Sequence, residues 1–147
     1  MSNLFYKGAE VSFEEKNIWV YLGLAVVIPV VYFATILSQV MTTPVGDIDY
    51  IIPMIGAIAL AIVIAIVGSI AVSIASGSYL KDERDKQISR RGDAVGLSVL
   101  GTLAIVPLAF AMLEIAPFWI ANSIYFAEVV AAIVASAVKL AAYRQGL

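Results

Sequence analysis

The sequence predicts an all-α integral membrane protein, a four-helix bundle with its N-terminus and its C-terminus both in the cytoplasm. Three observations carry that reading. Of 147 residues, 62% are hydrophobic and 14% charged, where soluble domains average about 45–50% and about 25%; the mean hydropathy is +0.97. Four long apolar stretches follow one another along the chain. All nine Lys and Arg residues lie outside those stretches, and if each stretch crosses a bilayer they all lie on one side of it.

The first stretch, residues 17–40, carries no charged side chain. At ~1.5 Å per residue it is long enough to cross a ~30 Å hydrocarbon core with some tilt. A cleaved leader is the rival reading, but the segment before it is net acidic, the apolar run is too long, and no small-x-small cleavage pattern follows. The stretch is therefore read as a spanning helix. The second stretch, residues 50–75, opens behind Asp47 and Asp49, candidate N-caps, with Pro53 in its first turn. It places a small residue at every fourth position, Ala57, Ala61, Ala65, Ser69, Ser73 and Gly77. Such spacing lets two helix backbones approach closely in lipid, so the stripe is read as a contact face.

The third stretch covers about 93–113 and the fourth about 118–138. Small residues recur on both: Gly92, Gly96, Gly101, Ala104 and Ala111 on the third, Ala132, Ala135 and Ser136 on the fourth. Short connections make neighbouring helices antiparallel. Packing within one bundle is the favoured use of the small residues, and a homodimer is the alternative. Pro29 and Pro107 are expected to kink the first and third helices.

Lys7 and Lys16 precede the first stretch. Lys81, Arg84, Lys86, Arg90 and Arg91 lie between the second and third, and Lys139 and Arg144 follow the fourth. The intervening connections, around 42–49 and 114–117, contain no Lys or Arg, so the positive-inside rule puts both termini and the 76–92 loop in the cytoplasm. The chain is expected to cross a membrane several times, with that loop on its cytoplasmic side.

That loop contains "KDERDKQISRRG", eight charged side chains in twelve positions. Topology accounts for the cations and not for the acids. Asp82 is placed to cap a helix whose first turn holds Glu83 and Asp85, where the helix dipole favours acids. Asp82 and Lys86 form an i,i+4 pair, with Arg90 and Arg91 near the headgroups. One reading is a capped, salt-bridged extension of the third helix whose ion pairs are individually weak. The other is a docking surface for a soluble partner made by Asp82, Glu83, Arg84 and Asp85. A metal site does not fit, because acids so mixed with cations hold hard ions poorly.

Glu128 lies about three turns into the fourth helix, where a carboxyl is costly and invites a functional reading. It is expected to face protein. Glu114, Trp119, Asn122 and Tyr125 form a candidate polar cluster at the outer face, in which Glu114, Trp119 and Tyr125 are read as an interfacial belt. The absence of Cys and His removes thiolate nucleophiles, imidazole bases, Cys/His zinc sites, His-ligated haem and disulfides. No cofactor, no metal and no direct binding of nucleic acid is expected. Without paired carboxylates placed for acid/base work, no enzymatic reaction can be assembled.

The segments "EEKNIWVY", "DERDKQISRRGDAVG" and "FWIANSIYFAEVVAAIVASAVKLAAYRQG" resemble those of a family of small, uncharacterised four-helix bacterial integral membrane proteins. In that family a D-E-R-D-x-x-I-x-x-R/F-G loop precedes the third helix and F-W-I-A-N-x-I-Y opens the fourth. Asp82, Glu83, Arg84, Asp85, Ile88, Arg91, Gly92, Glu114, Trp119, Asn122 and Tyr125 match the pattern, while Glu128 stands where an apolar residue is usual. The resemblance implies no activity; it implies a gene neighbourhood of small helix-turn-helix regulators, and hence a regulator as the cytosolic partner. The resulting expectation is a membrane anchor or sensor that engages a partner through its cytoplasmic loop. The alternative is a small proton-coupled transporter or exporter working through Glu128.

Overall fold

The computed structural model describes residues 13–76 and 83–145, and every regular element among them is helical. Helix α1 spans Phe13–Val40 and α2 Ile51–Ser76, joined through a 3-10 turn at Val45–Asp47. Helices α3 (Glu83–Leu103) and α4 (Ile105–Met112) follow, and α5 spans Pro117–Arg144. Four helical segments are long and apolar enough to cross a membrane: Glu14–Val40, Ile51–Ile74, Glu83–Met112 and Pro117–Arg144. Their apolar side chains largely point outward. Val27, Val31, Ile52 and Ile74 are each more than half exposed, the distribution expected of helices that are apolar all round.

The two prolines act differently. Pro107 has no N–H to give the Leu103 carbonyl, and its ring crowds that carbonyl. The third span accordingly breaks at Ala104 into α3 and α4. Pro29 lies inside α1, which continues past it. The start of α2 also departs from expectation. Asp47 belongs to the 3-10 turn, and neither it nor Asp49 caps the helix through its side chain. Tyr50 takes the capping position through its backbone, its carbonyl accepting the Met54 N–H at 3.0 Å.

Packing produces an open row in the order α2, α1, α5, then α3 with α4. Helix α1 packs on α2 and on α5, and α5 on α1, α3 and α4. Helix α2 has its extended interface with α1 alone, so a bundle closed on all sides is not what forms. On α2, the half-buried positions include Ala57, Ala61, Ala65, Gly68 and Ser69, while Ser73 is exposed. The small stripe thus faces α1 along most of its length; Gly77 lies outside the described residues.

The α3–α5 seam is tighter. A Cβ placed on Gly92 would come 2.9 Å from the Ala135 carbonyl, and one on Gly96 2.9 Å from the Ala135 Cβ. Only glycine permits that approach. Gly101 meets nothing within 4 Å, and Ala104 and Ala111 are exposed, so the series seals only its first half.

The core proper lies toward the end opposite the basic residues. It contains Tyr32, Ile36, Ile48, Phe118 and Tyr125. The Tyr32 hydroxyl donates to Asn122 Oδ1 at 2.9 Å, and Asn122 Nδ2 donates to the Phe118 carbonyl at 2.8 Å. Tyr32 and Tyr125 meet edge to face at 5.2 Å. A buried amide satisfied on both sides fixes the rotation of α5 against α1, because any turn of either helix would strand a polar atom.

Candidate functional site

The first turns of α3 divide cleanly by face. Asp85, Ile88, Gly92 and Gly96 are buried, and the spacing of three, four and four residues puts them on one side of the helix. Glu83, Arg84, Lys86, Gln87, Arg90 and Arg91 are exposed on the other. Asp85 is therefore not part of a presented surface. It accepts a hydrogen bond from the Tyr143 hydroxyl at 2.7 Å, joining α3 to the last turns of α5. Two turns further along α3, Asp93 Oδ1 pairs with Lys139 Nζ at 2.6 Å, and Ser89 Oγ donates to Asp93 Oδ2 at 3.3 Å. Lys86 pairs with Glu83 at 2.7 Å. Asp82 lies outside the described residues, so its capping role and its pairing with Lys86 do too.

All four spans converge at this end around a polar cleft of about 500 Å³. Helix α1 contributes Glu14 and Asn17, α2 Ser69 and Ser73, α3 Asp85 and Ser89, and α5 Lys139 and Tyr143. The end of α5 is held to α1 as well, by the Arg144 guanidinium 5.8 Å above the Trp19 ring. This convergence was not anticipated residue by residue. Tyr143 has no sequence mark distinguishing it from an interfacial tyrosine. Asp93 and Lys139 had one: Asp93 is the innermost charge of α3 and Lys139 the innermost cation of α5, and their similar depth allows them to pair.

From the cleft a narrower groove of about 310 Å³ continues along the molecule between α2 and α5, with α1 as its floor. Tyr21 lines both spaces. Glu128 lines the groove and is exposed, together with Ala132, while the next small residue, Ser136, is buried. Glu128 thus faces an open furrow between helices, not a closed helix interface.

The candidate outer cluster does not assemble. Asn122 and Tyr125 are core residues, 7% exposed each, engaged with Tyr32. Trp119 remains partly exposed, its ring edge-on to Phe118 at 5.0 Å. Glu114 is exposed in the α4–α5 connection. It holds a φ of 54°, because α4 ends in a Schellman cap: the Glu114 N–H bonds the Ala111 carbonyl at 3.2 Å and the Ile115 N–H the Phe110 carbonyl at 2.9 Å. Among the described residues no three acidic side chains gather as a metal site would require. No family model, curated protein or solved structure matches the chain.

Proposed function

We propose that this is a multi-pass protein of a bacterial cytoplasmic membrane that holds a soluble partner against the cytosolic surface. The binding surface is the outward face of the first turns of α3, with Glu83 and Arg84 at its centre and Lys86, Arg90 and Arg91 around them. The observation that carries the reading is the clamping of this segment from behind. Asp85 on Tyr143, Asp93 on Lys139, and two glycines on Ala135 fix the inner face. A rigid segment presenting mixed charge suits a complementary protein surface, since little ordering entropy remains to be lost on binding. Mixed charge suits an anionic leaflet less well, because the acids oppose it. Asp85 acts here as a positioning residue.

The test is a photo-reactive amino acid at position 83, with a second at the outward position Ile105 as the lipid-facing control. In native membranes position 83 is expected to capture one soluble protein that position 105 does not. The exchange Glu83→Lys with Arg84→Glu keeps the net charge, and so the topology signal, while reversing the pattern. Capture through a photo-reactive residue at Gln87 should fall at least tenfold in that variant. Unchanged capture would reject the surface.

A further inference from the structure

We propose that the groove between α2 and α5 is a binding site for an amphiphilic organic cation, with Glu128 as its counter-charge. The inference goes beyond partner docking and rests only on the four long helices crossing a bilayer. Glu128 is eleven residues from Pro117 and eleven from Lys139, about 16 Å from each along the helix axis at ~1.5 Å per residue. It therefore lies at mid-span. Among the described residues it makes no hydrogen bond and no ion pair. A carboxylate at such a depth needs a compensating charge or a proton.

The surroundings define what can supply it. The walls are apolar, represented by Leu24, Ile62, Ala65 and Ala132, and Tyr21 and Tyr125 also line the groove. No Lys or Arg occurs from 17 to 80 or from 92 to 138, so no span of this chain, in the same copy or a second one, carries a cation to that depth. A counter-ion for that carboxylate therefore comes from outside the chain, on a molecule that is itself soluble in the groove. A compact apolar body with one delocalised positive charge meets both requirements: the walls take its body and the carboxylate its charge.

Tetraphenylphosphonium and tetraphenylborate, which share a shape and differ in the sign of charge, separate this reading from mere partition into apolar surface. With the full chain in lipid nanodiscs, tetraphenylphosphonium is expected to bind saturably at one per chain above lipid-only discs, and tetraphenylborate to show partition alone. Glu128→Gln should weaken phosphonium binding at least tenfold. Ala65→Leu, which fills the groove wall and leaves the carboxylate in place, should weaken it too, and it serves as the decisive variant if Glu128→Gln does not assemble. Equal binding of both ions, unchanged affinity in both variants, or no saturable binding overturns the proposal. So does a dimeric wild type that becomes monomeric on Glu128→Gln without binding the cation, because a second copy would then be what covers Glu128.

Discussion

Tyr143 donates its phenolic hydrogen to Asp85 at 2.7 Å, and this contact turns an acid of the most charged segment in the chain into an internal tie. Hydrogen bonds to ionised groups contribute about 1.5–3 kcal/mol. Tyr143→Phe should lower the stability of the detergent-solubilised protein by about that much, read as a shift in its denaturation midpoint. Asp85→Lys would place a cation where the acid is buried and should disrupt assembly, whereas Glu83→Lys should not. Equal tolerance of both would mean that Asp85 is on the surface.

The glycine seam makes a prediction with an internal control. Gly96→Ala puts a methyl group 2.9 Å from the Ala135 Cβ and should destabilise by about 1–3 kcal/mol, as overpacking does elsewhere. Gly101→Ala, on the same helix with open space around it, should be neutral or gain up to about 1 kcal/mol from helix propensity. If the two substitutions behave alike, α3 is rotated away from α5.

At Glu114 the backbone favours a residue that is not there. A side chain at φ 54° costs roughly 1–2 kcal/mol relative to glycine. Glu114→Gly should therefore raise the denaturation midpoint or leave it unchanged, offset in part by the greater freedom of glycine in the unfolded chain. Glu114→Val should lower it, since a β-branched residue tolerates this region worst. A loss of stability with glycine would show that the carboxylate itself holds the connection.

Orientation is tested by single cysteines at Thr43 and Gln87. The nine cations predict that an impermeant maleimide labels intact cells at position 43 and not at position 87. Labelling restricted to position 87 would invert the molecule.

The spanning segments were legible because their signal is additive: twenty-odd apolar residues in succession leave few alternatives. Which helix lies beside which was not, because all four long helices are apolar alike and a small-residue stripe marks a face without naming its neighbour. Ala57, Ala61 and Ala65 show this, since their face could be read and its main neighbour, α1, could not. Asp85 illustrates a different loss. Reading it by charge puts it outside, while its spacing to Ile88 and Gly92 puts it on the inner face. Tyr125 was likewise assigned by residue type to an interface, and Asn122 to an outer polar cluster, although both pack on Tyr32, ninety residues away from Asn122. Glu128 was expected against protein because a carboxyl at that depth is costly and Ala132 and Ala135 beside it are small; the open row leaves it in a furrow.

The open row also sets an order of events during synthesis. Helices α1 and α2 complete their mutual interface within one contiguous stretch, and a hairpin of that kind can form while the remainder is still on the ribosome. Helices α3 and α4 then emerge with no extended surface on either predecessor. Only α5 touches α1, α3 and α4, bringing Asn122 to Tyr32 and Ala135 to the glycines. Helix α5 is the rivet, and a nascent chain stopped before Pro117 holds two helix groups with no extended interface between them.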